Sequence, residues 1–390
     1  MPFLSLSQKQ LASVLGVCSQ ISLKKSEVEA FTFTKITLTK DSVSVSALNS
    51  GAFYTTILEP QNLDLNQDEF SFLIKTEIFS GAINLITDEL VGLDINPEKH
   101  TLVVQGSKAK HTLRIDTDRL TDFVEPKPTS DLQATLEVSS DDFIKAVNAS
   151  LVSVGQAKNV YEPKFLNVCF TPKIEEKKLY VVSTDRYRVS KTCIDAEITN
   201  VAAKLETETV NYLILPKNLQ LFVALSHTNK VVKVNFYEDF SLLEVDKSKL
   251  MVRFGDGVYP DYEKIIPQSF TCSFLVETKE LLAGLKQVYL SARSNAVNKS
   301  IILDIEPETN KITFSSSSED GYASESAINM TNYQGTMEAW KQSFNADYLI
   351  EYINTVENAT IFWEANPGKP SVLSPLNEKE KQVYLVSGLK

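Results

Sequence analysis

The chain has 390 residues, a formal net charge of −11, 43% hydrophobic and 23% charged residues, the balance of a soluble globular protein. No apolar run approaches the roughly 18 residues that a membrane span needs. At about 100 to 200 residues per domain, the length holds two to four units, and the acidic total is opposite in sign to what phosphate contacts require.

Cys18, Cys169, Cys193 and Cys272 form no CxxC pair, and His100, His111 and His227 lie near none of them. They read as buried or incidental groups, so neither a metal, a disulfide nor a cofactor is expected. There are only 13 glycines, with no GxGxxG, GKS, GKT or GxSxG, which leaves out the usual phosphate cradles and the nucleophile elbow. Carboxylate pairs such as Asp64 with Asp68 and Asp116 with Asp118 read as solvated surface. No catalytic constellation emerges. The stretch MPFLSLSQKQLASVLG has no basic region ahead of an apolar one, so no secretory signal is expected and the protein is placed in the cytoplasm.

In chain order, the first predicted element is a helix over Ser7–Ile21. Ser7 and Gln10 have capping-box spacing, and Leu11, Val14, Leu15 and Cys18 make one apolar face. Alternating strands follow in FTFTKITLTK and SVSVSAL, and then FSFLI, ending at Ile74, leads into a second helix over Lys75–Ile86 with Ile78 and Ala82 on its stripe. HTLRID reads as a further strand, and the proline-rich VEPKPTS, Val124–Ser130, as a linker. The pattern then starts again. Val138, Ser139, Asp142, Phe143 and Val147 repeat Leu6, Ser7, Gln10, Leu11 and Leu15, and predict a helix over Ser139–Val154. KLYVVST is a strand, NYLIL precedes Pro216 and a helix over Pro216–Lys230 carrying Leu219 and Val223, VVKVNFY is a strand, and IIPQS closes the unit. The third copy runs through Val276, Glu277, Glu280, Leu281 and Leu285, a helix over Thr278–Ser291, the strand KITFSS, and a last helix over Asn345–Thr355 with Tyr348 and Tyr352. A repeat this long is a repeat of domains. The expected domains are 1–130, 131–268 and 269–390, each α+β, with antiparallel strands and two helices on one face.

Charge follows the same division. The six helical segments together are close to neutral, so the acid is carried by strands and loops, and Lys24, Lys25, Lys158, Arg293 and Lys299 flank the first helix of each repeat.

Two segments are more specific. STDRYRVS, Ser183–Ser190, follows KLYVV, and VYPDYEKIIP, Val258–Pro267, follows KLMVRF. With the triple repeat and the terminal VYLVSGLK, they resemble the bacterial replicative sliding clamp, the β subunit of DNA polymerase III, over the whole chain. The resemblance implies a head-to-tail homodimer: a ring of six clamp domains, helices lining the hole and sheets outside, through which duplex DNA passes without sequence readout. It implies a non-enzymatic processivity factor that binds the replicative polymerase, the clamp loader and other proteins through short peptides carrying a hydrophobic pair.

By that resemblance, the peptide pocket comprises Leu166, Thr184, Arg186, Tyr187, Arg188, Val189, Pro260, Lys264, Ile265, Asn345, Tyr348, Pro370, Leu385, Ser387, Gly388 and Leu389. Val189, Pro260, Ile265 and Leu389 would be its apolar floor, and Arg188, Lys264 and Asn345 would donate to the peptide. Lys24, Lys25 and Lys158 would face DNA, and Leu113, Tyr289 and Leu290 would close the dimer. The chain departs from the family pattern where Arg186-Tyr187-Arg188-Val189 replaces Gly-His-Arg-Leu and Ser387-Gly388-Leu389 replaces Met-Pro-Met, which puts the usual peptide preference in doubt. A β-rich interaction scaffold with no DNA role is the alternative that the acidic charge permits.

Overall fold

A computed structural model describes residues 3–65, 68–157, 162–225, 230–294, 298–318, 320–356 and 359–389. Among these are seven α-helices: α1 (Gln8–Ile21), α2 (Thr76–Asn84), α3 (Ser140–Leu151), α4 (Ala203–Thr207), α5 (Pro216–Leu225), α6 (Thr278–Ser294) and α7 (Ala346–Ile353). Six of them fall on the predicted segments. The five-residue α4 had no apolar stripe to announce it, since Leu205 is its only buried residue.

Local chemistry accounts for the helix starts. The Ser7 hydroxyl accepts from the Gln10 amide at 3.4 Å, and Asn345 Oδ1 accepts from the Asp347 amide at 2.9 Å, each pairing an N–H that the first turn leaves open. Leu11, Val14, Leu15 and Cys18 are buried together on α1. On α2 the expected stripe is corrected: Ile78 is exposed, and the buried face is Thr76, Phe79, Ala82 and Ile83. Phe79 supplies the larger apolar surface, and its burial sets the rotation of the helix.

The repeat is exact at the level of register. Strands Phe3–Ser7, Leu132–Ser139 and Cys272–Glu277 each run directly into α1, α3 and α6. Each pairs antiparallel with the strand that follows the second helix of its repeat, matching Leu6 to Val91, Val138 to Val232 and Val276 to Ile361. All six of these residues are buried. The amides of Gln8, Ser140 and Thr278 then donate to the carbonyls of Glu89, Lys230 and Ala359 at 2.9, 2.7 and 3.1 Å. Three copies of one strand–helix unit therefore use the same hydrogen bonds.

The described residues divide into two compact units, one of 1–140, 198–203 and 217–254, the other of 141–197, 204–216 and 255–390. In the first, an antiparallel sheet passes from Glu69–Lys75 through Phe33–Thr39, Val43–Leu48, Ala52–Leu58, Ser248–Arg253, Phe240–Val245 and Val231–Tyr237 to Leu132–Ser139. A second sheet holds Asn62–Asp64, Phe3–Ser7, Leu90–Asn96, Thr101–Gln105 and the edge strand Lys110–Arg114. α1 packs against α2 and the strands Val43–Leu48 and Ala52–Leu58.

In the second unit, Tyr212–Ile214, Val168–Lys173, Lys178–Thr184, Arg188–Thr199, Gln382–Val386, Ser371–Pro375, Thr360–Ala365 and Cys272–Glu277 form another continuous antiparallel sheet. A four-stranded sheet ends at Ala323–Asn329. α6 covers it and meets α7. Each long sheet thus contains strands from both sides of an expected domain edge, residue 130 in one and residue 268 in the other.

Candidate peptide pocket

The hairpin of Lys178–Thr184 and Arg188–Thr199 closes on the pair Thr184 and Val189. Its turn is fixed by side chains. Asp185 Oδ1 accepts from the amides of Tyr187 and Arg188 at 3.0 and 3.1 Å, and the Thr184 hydroxyl accepts from the Arg186 amide at 3.1 Å, the local capture that makes Asp and Thr good turn residues. Between them Arg186 has φ +83°, a conformation that an L side chain rarely adopts.

Arg188 turns inward. It is 5% exposed, its Nε donates to Asp185 Oδ2 at 2.9 Å and its Nη1 to Glu351 Oε2 at 2.6 Å, while the guanidinium lies 4.2 Å from the Tyr348 ring centroid. Burial pushes the Tyr348 phenol up to about 12. The Tyr348 carbonyl accepts from the Tyr384 hydroxyl at 2.7 Å, and Tyr384 stacks on Tyr352 at 4.1 Å. The expectation that Arg188 donates to a peptide is corrected here: two carboxylates already hold it.

The last strand brings in the chain's end. Val189 pairs with Leu385, Arg188 with Val386, and the Ser387 amide donates to the Tyr187 carbonyl at 2.9 Å. Val189 and Leu385 join Cys169, Val182, Leu213, Tyr259, Tyr262 and Val372 in one apolar cluster, with Ile266 and Phe270 packed on it. Tyr259 and Tyr262 anchor the segment that carries the half-buried Pro260 and the exposed Lys264 and Ile265. Lys264 pairs with Asp261 at 2.7 Å, and that hydrogen bond raises its pKa. The Leu389 amide donates to the Ser343 carbonyl at 2.8 Å, two residues from Asn345. Gln342 beside it donates to the Lys369 carbonyl at 2.7 Å, next to Pro370. Leu166 ends a short 3-10 turn whose Phe165 ring lies 5.9 Å below the Arg186 guanidinium. These contacts are chained together within one unit.

Sequence reasoning missed Asp185, Glu351, Phe165 and Glu162. The turn role of Asp185 was readable from STDRYRVS, whereas nothing local marks Glu351 as the partner of an arginine 163 residues away.

The other candidates are more dispersed. Lys24 and Lys25 are exposed after α1, with Lys24 3.2 Å from Glu77, and Lys158 lies outside the described residues. Leu113 is half-buried on the edge strand Lys110–Arg114. On α6, Leu290 is exposed and the Tyr289 hydroxyl donates to Asp347 at 2.6 Å. Among the described residues no cluster of His, Cys, Asp and Glu could hold a metal ion, all four cysteines are free and buried, and no helix is long and apolar enough to cross a membrane.

The fold defines a class: an α+β chain of repeated DNA-clamp domains, overlaying the DNA polymerase III β chain of Streptococcus pneumoniae with a TM-score of 0.84, 17% identity and 100% of both chains covered. The β subunit of Borrelia burgdorferi overlays equally well, at 19% identity, covering 100% of this chain and 99% of the other. Residues 263–386 match the family model for the DNA polymerase III beta subunit, C-terminal domain. The chain is 22% identical to the beta sliding clamp of Helicobacter pylori over 97% of its own length and 96% of the relative's, and 22% identical to that of Bacillus subtilis over 93% and 92%. Along its full length the chain is thus similar to DNA polymerase III beta sliding clamps, and its last third carries the match to their family model.

Proposed function

We propose that this chain is a processivity clamp without catalytic chemistry of its own, acting in the cytoplasm. Two copies join head to tail into a ring of six domains around duplex DNA, each copy contributing domains 1–130, 131–268 and 269–390. The ring holds the replicative polymerase, the clamp loader and other proteins through short peptides seated in the pocket above. The observation that carries this reading is the threefold register, in which one strand–helix unit recurs with the same backbone bonds, in a chain similar to clamps along its full length.

The chemistry is suited to sliding. Topological linkage keeps a partner at high effective concentration without tight DNA contacts. Near-neutral inner helices with exposed cations such as Lys24 and Lys25 make weak, phosphate-directed contacts, whereas base readout would arrest movement. An acidic remainder discourages DNA from adhering elsewhere. Dimer closure is supported by two strands, Lys110–Arg114 and Ala323–Asn329, that end their sheets among the described residues, a position that favours pairing with another chain. The first carries Lys110 and Arg114 and the second Glu325, so unlike edges are complementary, as a head-to-tail contact requires.

The test is retention on DNA. Loaded on a nicked circular plasmid, the protein should stay bound through gel filtration and be lost once the plasmid is linearised. Equal retention on both would remove the topological mechanism, and no binding to either would favour the scaffold reading that the charge of −11 permits.

A further inference from the structure

We infer that Arg186 makes this pocket selective for peptides carrying a carboxylate beside the apolar pair. The inference rests on the peptide-pocket reading above and adds the chemistry of the preferred partner.

Arg186 is held in place before any ligand arrives. Its backbone sits at φ +83°, where glycine fits without cost and a side chain is strained. Thr184 and Asp185 hold the turn there through three backbone N–H bonds. A strained residue fixed this firmly presents a side chain in a direction that a relaxed turn would not provide. The guanidinium is more than half exposed, above the Phe165 ring at 5.9 Å and 3.6 Å from Glu162 Oε1.

Glu162 does not consume it. The same carboxylate takes Lys164 Nζ at 2.8 Å through its other oxygen, so one anion is shared by two cations, and the trio keeps a net positive charge. Lys164 also lies over Phe165, at 5.2 Å. The longer Arg186 contact is the weaker of the two, leaving its remaining N–H donors in a planar fork that suits a carboxylate in two-point geometry. Arg188 cannot play this part, because Asp185 and Glu351 occupy it and it is buried. The pocket's accessible guanidinium is therefore that of Arg186, one residue from the Tyr187 carbonyl to which the terminal strand is bonded.

The experiment uses the full chain and fluorescent peptides with a Leu-Phe pair flanked, on either side, by Glu, Gln or Lys. At low salt, the best Glu peptide should bind about three- to tenfold more tightly than its Gln counterpart, the range of an exposed, well-oriented charge-assisted bond. The Lys peptide should be weakest. In Arg186→Gly the ratio of Glu-peptide to Gln-peptide affinity should fall to about one, whatever the change in absolute affinity, and the melting temperature should hold or rise because glycine relieves the turn. A Glu preference that survives in Arg186→Gly, or its absence in the unmodified protein with all peptides bound, overturns the inference and leaves the pocket reading standing. If no peptide binds, the pocket reading falls and this inference with it.

Discussion

Arg188 is a cation where a peptide site would use one, yet its surroundings convert it into structure. Its guanidinium bridges Asp185 from the turn and Glu351 from α7, with Tyr348 against its face. Removing it strands Asp185, which is 8% exposed, and breaking such a pair costs about 3 kcal/mol. The Glu351 contribution is smaller, because that side chain is 45% exposed and screened by solvent. Arg188→Ala should lower unfolding stability by about that amount in urea titration, and Arg188→Lys should recover only part of it, since a single ammonium cannot reproduce the fork. A loss under about 0.5 kcal/mol would show the bridge to be idle. The sequence made the turn legible through its Asp and Thr, and the apolar members Val189 and Leu385 through their strands. It could not assign Arg188 to the interior, because Glu351 reaches it only through tertiary folding.

Two helical glycines give opposite forecasts from the same substitution. Gly16 on α1 has nothing within 4 Å of an added methyl, so Gly16→Ala should gain up to about 1 kcal/mol from helix propensity alone. At Gly284 on α6 the methyl would lie 2.8 Å from Phe314 and 3.1 Å from Ile328. Phe314 is fully buried and cannot swing aside, so overpacking of about 1 to 3 kcal/mol exceeds the propensity gain and Gly284→Ala should lower the melting temperature. Calorimetry on both variants checks the sign. Helices were the most legible elements because caps and 3.6-residue periodicity are local. The one-residue rotation of α2 was not, since Ile78 and Phe79 are both apolar and only packing decides which turns inward. Nor was the pairing of Ala52–Leu58 with Ser248–Arg253, for which no short-range pattern exists.

For the whole molecule, assembly and pH offer separate tests. Leu290 is 73% exposed, so Leu290→Asp should leave the monomer's stability nearly unchanged. It should shift the sedimentation mass from about twice 43.5 kDa toward one, with loss of retention on circular DNA. Burial pushes the Cys18 and Cys169 thiols from an ordinary 9.0 up to about 12. The unfolded chain releases those protons near pH 9 and the folded chain does not. Their contribution is thus complete below pH 9 and is lost as pH climbs toward 12, while Tyr54, raised by burial to about 12, adds to the loss from about pH 10. Urea midpoints measured from pH 8 to 11 should fall steadily, and the native thiols should resist a disulfide reagent at pH 8 until denaturant is added. The long sheets have a further consequence for how the polypeptide can be divided. The Thr56 and Ser248 hydroxyls, 192 residues apart, meet at 2.9 Å beside the ladder that joins their strands. A protease that cuts VEPKPTS should sever the backbone without freeing either fragment, because the ladder between Ala52–Leu58 and Ser248–Arg253 still joins them, so the proline-rich stretch is a tether rather than a seam.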